Sequence, residues 1–291
     1  MVAVKLWGGL GNQMFQYAFG KHLSILFGEK LYFYISDENY SEQKIDLLKY
    51  NVQVQLLTEK EISKFTILKG KGIQYRIERK ILKSIPFLNT KIFIEPSLLF
   101  CSSVKNSASL FDGYWQSYKY IEQIENIVRH ELTLKDDFTP FLLLKEDIEN
   151  KNSVSLHIRR GDYLAKGFNK VYAFCDEKYY HDAIEFFSNR IKNPTFYIFS
   201  NELDWVRSNL KIFDEVDVVF VDNSTQVNAN LLDMYLMSLC KHNIIANSTF
   251  SWWGAWLNRN TEKIVIAPEH WYNGDLNKTT IDLIPPTWFR I

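Results

Sequence analysis

Val154-Ser155-Leu156-His157-Ile158 is a short apolar run that passes without a break into Arg159-Arg160-Gly161-Asp162-Tyr163. The first five residues read as a buried strand, and the next five as a tight loop carrying two guanidiniums and a carboxylate. A guanidinium is always charged, and its planar fork meets phosphate oxygens two at a time. Arginines at the carboxyl end of a strand therefore suit a phosphorylated ligand on an open α/β sheet. The same residues would also serve as a surface ion pair beside a core histidine. What surrounds the strand decides between the two.

Downstream, apolar segments at 195–200, 216–222, 243–247 and 263–268 alternate with helical stretches at 177–191, 202–209, 228–241 and 250–258. Such alternation predicts a parallel sheet with helices on both faces. Asp176 and Glu177 suit the start of the first helix and Asp204 the first turn of the next, where carboxylates meet the positive end of the dipole. Upstream, 2–7 reads as a strand, 8–12 as a glycine loop, 13–27 as an amphipathic helix and 31–35 as a second strand, a βαβ opening. From about 41 to 91 the pattern weakens. Helical runs remain at 59–68 and 75–85, the latter basic enough to be either a solvated face or a membrane-surface helix. The polar stretch 135–152, broken by Pro140, divides the chain. The expectation is an α/β fold of two Rossmann-like lobes, 1–150 and 151–291, facing across a cleft.

The 291 residues carry 34 basic and 34 acidic side chains. With no net field to hold nucleic acid or an anionic membrane, phosphate recognition should be local. Cys101, Cys175 and Cys240 are odd in number and far apart, which predicts reduced core thiols in a cytosol. Neither a signal peptide nor a spanning helix is expected, so the Asn-x-Ser/Thr triplets at Asn223, Asn247 and Asn277 read as chance matches.

Several further segments could carry chemistry. Gly8-Gly9-Leu10-Gly11-Asn12-Gln13 follows the first strand, and Asp37 the second, as in a dinucleotide fingerprint. Met14 stands where that fingerprint needs its third glycine. What remains is either a plain tight turn or a glycine turn at a helix N-terminus whose amides can approach a ligand. Asn247-Ser248-Thr249-Phe250-Ser251 is a second strand-to-helix junction, with Ser248 or Thr249 as the N-cap. Its free amides and Arg159 could grip one diphosphate from two sides. The Trp252, Trp253 and Trp256 beyond it suit a buried helix face. Asp233 sits in an apolar helix and needs a partner: the N1–H and amino group of a guanine, a neighbouring cation, or an exposed position would each serve. Phe111-Asp112-Gly113-Tyr114-Trp115-Gln116-Ser117-Tyr118 is aromatic and polar at once, which suits either a sugar face with its hydroxyls or core packing beside a turn. No two aspartates are separated by one residue and no histidines have metal-ligand spacing, so no metal site is expected. A leaving diphosphate would then be neutralised by arginine and helix amides.

Three segments together, Gly-Gly-Leu-Gly-Asn-Gln-Met-Phe-Gln-Tyr-Ala at 8–18, His-Ile-Arg-Arg-Gly-Asp-Tyr at 157–163 and Asn-Ser-Thr-Phe-Ser-Trp-Trp-Gly-Ala-Trp-Leu at 247–257, resemble the bacterial-type α1,2-fucosyltransferases. The likeness spans nearly the whole chain, including Gly-Tyr-Trp-Gln-Ser at 113–117 and Val-Ile-Ala-Pro at 265–268, and is weakest at about 41–100. It implies a GT-B-like fold, GDP-fucose as donor, a galactose-terminated oligosaccharide or lipid-linked glycan as acceptor, inversion at the fucose anomeric carbon, and no cofactor or metal. By that likeness Arg159 would hold the β-phosphate, His157 would lie along the nucleotide, Asp162 would orient the loop and Asp233 would read guanine. Ser248, Thr249, Phe250 and Ser251 would meet the diphosphate. Gly9, Gly11 and Asn12 would close over the donor from the first, acceptor-side lobe, where Asp112, Tyr114, Trp115 and Gln116 would meet the acceptor. The location implied is cytoplasmic, with room for a peripheral contact at the inner membrane.

Inverting transfer usually employs a general base; Asp162, His157 and Asp112 are the candidates, and a loose oxocarbenium-like transition state would lower the demand for a strong one. Arg160 has no assignment. Readings left open are a GDP-fucose-dependent enzyme of another linkage or acceptor, a non-catalytic glycan-binding protein, and an NAD oxidoreductase, which Met14 disfavours.

Overall fold

The computed structural model describes residues 1–35, 45–62, 65, 73–84, 91–104, 109–135, 142–160 and 171–291. The chain divides into two units, Met1–Asp136 with Thr279–Leu283, and Asp137–Lys278 with Ile284–Ile291. In unit 1, β1 (Val2–Lys5) leads to α1 (Leu10–Phe27) and β2 (Leu31–Tyr34), the expected βαβ opening. The short α2 (Glu59–Ile62) and the basic α3 (Ile73–Ser84) precede β3 (Ile92–Ile94), β4 (Leu110–Asp112) and α4 (Glu125–Glu131). The sheet runs β2-β1-β4-β3, and every pairing is parallel. All four residues of β1 are buried, as a central parallel strand covered on both faces requires. Helix α1 starts three residues earlier than its apolar periodicity suggests, with Gly9 as N-cap, so Gly11 and Asn12 belong to its first turn. It ends on Gly28 at φ 65°, whose amide donates to Ile25 O at 3.3 Å in a glycine C-cap.

In unit 2, α5 (Leu142–Asn150) precedes β5 (Asn152–Ile158), α6 (Glu177–Ser188), β6 (Pro194–Ser200) and α7 (Leu203–Asn209). There follow β7 (Asp217–Phe220), α8 (Ala229–Leu239), β8 (His242–Ile244), α9 (Thr249–Leu257), β9 (Val265–Ala267) and β10 (Phe289–Arg290). All six strands are parallel, in the order β10-β9-β8-β5-β6-β7. Val154, Leu156 and Ile158 pack with Tyr180, Ala183 and Phe187 of α6, while Tyr197 and Phe199 of β6 pack with Leu232 and Leu236 of α8. The second group includes Ile148 of α5, which is why that helix goes with unit 2 although the sequence reading left it in the first lobe. Asp176 caps α6, accepting from the Tyr179 amide at 2.9 Å. Trp252, Trp253 and Trp256 are buried, with Trp253 edge-to-face against the other two and Trp288 5.4 Å from Trp252. Cys175 and Cys240 are buried, but Cys101 is half-exposed: it follows the irregular 95–100 segment, not a core element. The Asn223 and Asn247 side chains are buried. No described helix is long and apolar enough to cross a membrane.

Candidate active site

Strand β5 is the first of unit 2, and the sheet grows from it in both directions: β6 and β7 on one side, β8, β9 and β10 on the other. The order reverses between β5 and β8. Helices leave the sheet on opposite faces there, opening a crevice at the carboxyl ends of the two strands where α/β proteins take their ligands. His157 and Arg159 stand at the end of β5, and Asn247 to Ser251 follow β8.

His157 is buried, packs 5.7 Å from the Phe250 ring, and its Nδ1 has no hydrogen-bond partner among the described residues. Burial, and secondarily the charge of Arg159, push its pKa down to about 3. At neutral pH the imidazole is uncharged, a hydrogen-bonding group and a weak base. Arg159 is half-buried. Its field also reaches Tyr172, where it opposes the rise that burial imposes on the phenol. Gly161, Asp162 and Tyr163, with the roles expected of Asp162 as loop orienter or base, lie outside the described residues.

Arg160 has partners of its own. Its guanidinium lies 3.2 Å over the Trp205 ring, and its Nε is 3.6 Å from Glu202 Oε2. With Arg159 it lines a cavity of about 290 Å³, together with Ile158, Cys175, Tyr180 and Trp205.

At the β8–α9 junction Ser248 is the N-cap, its Oγ accepting from the Phe250 amide at 3.3 Å. Ser251 donates its hydroxyl back to Ser248 O at 3.2 Å and Ala246 O at 3.4 Å. Asn247 secures the loop, donating to Ala173 O at 2.6 Å and Trp271 O at 3.1 Å. The first-turn amides of α9 thus begin at the switch point, with no acidic side chain in that turn; partial positive charge there favours an anion. Asp233, on α8, is half-buried and accepts from Asn223 Nδ2 at 2.6 Å. Burial pushes its carboxyl up to about 6; the Asn223 hydrogen bond works against this and Asp222 adds to it. Among the described residues no basic side chain pairs with it.

The carboxyl edge of the unit 1 sheet is built differently. Gly8 has φ 81°, and a Cβ there would lie 2.6 Å from Asn12 Nδ2, so both backbone and packing demand glycine. Gln116 donates to Asn12 Oδ1 at 2.9 Å, joining the two expected sites. Tyr114 is half-buried, 4.2 Å from the Trp7 ring. Trp115 is fully buried, stacked 3.8 Å from Phe19, a core arrangement that offers no ring face to a sugar. Asp112 is also fully buried, 3.6 Å from both Lys5 Nζ and Arg79 Nε. His181, Asp182 and Glu185 form an acidic group with metal-ligand reach on α6, but Lys178 already pairs with Asp182 at 2.5 Å.

The sequence profile of glycosyl transferase family 11 matches residues 1–291. The chain belongs to that family. An alpha-1,2-colitosyltransferase of Escherichia coli is 34% identical over 100% of this chain and 99% of its own length. The O-antigen biosynthesis glycosyltransferase WbnK, also of Escherichia coli, is 32% identical over 95% of this chain and 97% of its own. The galactoside alpha-(1,2)-fucosyltransferase 1 of Sus scrofa is 29% identical over half of this chain and 42% of its own. Among solved structures, the fucosyltransferase NodZ from Bradyrhizobium has the same fold with a TM-score of 0.53, at 13% identity over 87% of this chain and 92% of that one. The family 11 chain is therefore an enzyme, a glycosyltransferase of the fucosyltransferase type with a GT-B-like α/β fold, which removes the non-catalytic and oxidoreductase readings.

Sequence reasoning had not singled out Glu202 and Trp205 around Arg160, Asn223 beside Asp233, or Lys5, Gln16 and Glu95 in unit 1. Lys5 gave a signal: a cation in a fully apolar strand needs a buried acid.

Proposed function

We propose that the chain transfers L-fucose from GDP-fucose, with inversion, to the 2-hydroxyl of a terminal β-galactose. The observation that carries this reading is the pairing, at the β5/β8 switch point, of Arg159 with the open N-terminus of α9. In it, Arg159 holds the β-phosphate, first-turn amides of α9 other than the Phe250 amide that Ser248 caps take the remaining phosphate oxygens, and Asp233 accepts from the N1–H and amino group of guanine. His157, neutral and lacking a partner for Nδ1 among the described residues, hydrogen-bonds the nucleotide. In unit 1 the Asn12–Gln116 pair and Tyr114 meet the acceptor. As the glycosidic bond breaks, charge accumulates on the leaving diphosphate, and a fixed guanidinium with helix amides stabilises it where it develops. The requirement for a strong base falls as departure of the leaving group runs ahead of attack. The α1,2 linkage rests on the activities for which the relatives in both bacteria and mammals are named.

Incubation with GDP-fucose and lactose followed by linkage analysis tests this: a Fucα1,2-galactoside is expected, and a product of another linkage, or none, would overturn it. Excess chelator should leave the rate unchanged; loss restored by magnesium or manganese would refute transfer without a metal. Association with anionic vesicles, the peripheral contact allowed for by α3, is read by co-sedimentation. A second reading concerns the donor sugar, because the colitosyltransferase matches the whole chain. Colitose is fucose without its 3-hydroxyl, and a site built to hydrogen-bond a hydroxyl rejects the analogue lacking it by about 10⁴-fold, whereas an apolar one discriminates by only about 10²-fold or less. Comparing kcat/KM for GDP-fucose and GDP-colitose separates the two.

A further inference from the structure

Glu95 directly follows β3 and is 5% exposed. Its two carboxylate oxygens accept from two consecutive amides across the sheet edge, Oε2 from Tyr114 N–H at 2.7 Å and Oε1 from Trp115 N–H at 2.9 Å. Its own amide donates to Asp112 O at 2.9 Å. The turn it grips is one that local preference opposes. Trp115 has φ 58°, in the left-handed region that a bulky aromatic residue occupies only where its surroundings impose it. Gly113 leaves no room for a side chain: a Cβ there would be 2.4 Å from Glu95 Cβ. Gln16 closes the other side, donating to Gly113 O at 3.4 Å and to Trp7 O at 3.2 Å and accepting from the Trp7 amide at 3.0 Å. What this arrangement sets is the position of Tyr114 against Trp7 and of Gln116 against Asn12.

We propose that Glu95 is a positioning residue for the transfer reaction: it holds the Gly113–Gln116 turn in its left-handed form so that Tyr114 and Gln116 stand ready for a pyranose ring of the acceptor. It touches no substrate. This rests on the assignment of the unit 1 edge to the acceptor. Both oxygens are occupied by backbone donors, so Glu95 acts through the turn and not as a base. Glutamine at this position keeps the shape but turns one acceptor into a donor facing an N–H, which opens the clamp.

The test is Glu95→Gln, with initial rates measured against lactose and against GDP-fucose, and GDP binding by calorimetry. The KM for lactose should rise about tenfold or more, as misplacing a positioned group commonly costs. The KM for GDP-fucose and the Kd for GDP should stay within about twofold, and Glu95→Asp, which keeps two acceptor oxygens, should recover part of the loss. Equal changes in both KM values, or none, would overturn the proposal, provided Tyr114→Ala raises the lactose KM. If Tyr114→Ala leaves it unchanged, the acceptor assignment itself fails and the proposal falls with it. Should Glu95→Gln not fold, Glu95→Asp alone carries the comparison.

Discussion

Each unit buries a carboxylate near the carboxyl edge of its sheet, and the two are treated in opposite ways. Asp112 of unit 1 lies between Lys5 and Arg79, and Glu95 beside it accepts from two backbone amides. Asp233 of unit 2 has, among the described residues, the neutral Asn223 as its hydrogen-bond partner, and burial holds its carboxyl near 6. His157 repeats the pattern, an imidazole buried without a partner for Nδ1 among the described residues. Carboxylates paired or hydrogen-bonded within their own unit hold an edge in shape. Asp233 and His157 are the kind of buried groups that a ligand would complete, because leaving such groups under-partnered is costly.

Substitutions at four positions test that contrast, the largest effect first. Arg159→Ala should lower kcat/KM for transfer by about 10³-fold or more with little change in Tm, and Arg159→Lys should come close to it, since a point charge does not replace the fork. Near-normal activity in either would end the phosphate assignment. Asp112→Ala should do the reverse: stranding Lys5 and Arg79 beneath the sheet edge costs about 3 kcal/mol of stability, read by denaturant unfolding, while GDP affinity in the folded protein is retained. Asp233→Asn should weaken GDP binding by about tenfold without loss of stability.

The pH dependence sharpens the third case. The Asp233 carboxyl is raised from 3.8 in the free residue to about 6 in the fold, so its neutral form favours folding. That contribution is present below about pH 4 and is lost as pH rises through about 6; substitution by Asn should remove this slope. Guanine requires the carboxylate, so GDP affinity should fall as pH drops through about 6 in the wild type but not in the variant. Calorimetry across pH 5 to 8 checks this, and parallel curves for the two proteins would disprove it. The smallest effect is expected for Trp205→Leu, which removes the ring under Arg160. A loss of about 1–2 kcal/mol of stability, with GDP affinity unchanged, would separate Arg160 from the donor phosphates.

Much of this was legible beforehand. Strands β5 to β9 and helices α6 to α9 of unit 2 fall within a few residues of the apolar periods, because a parallel strand buried on both faces must be continuously apolar, and each helix between strands needs its own apolar stripe. Ser248 and Asp176 announced their caps. Unit 1 was harder. Strands of three residues such as β3 and β4 are too short to display a period, and β4 was read as part of a sugar-facing segment because Trp115 and Asp112 look alike whether they face a ligand or the core.

The amino-acid sequence by itself determined the alternation that makes a parallel sheet, the family, and the presence of Arg159 at a strand end, since these depend on local period and on residue order. Only the tertiary structure decided which groups are satisfied. It gave Arg160 the Trp205 ring and Glu202, sent Trp115 and Asp112 into the core, gave Asp233 a neutral partner, and joined Glu95 to a turn 19 residues further along the chain. Partnership is a matter of distance through space, and chain order does not contain it.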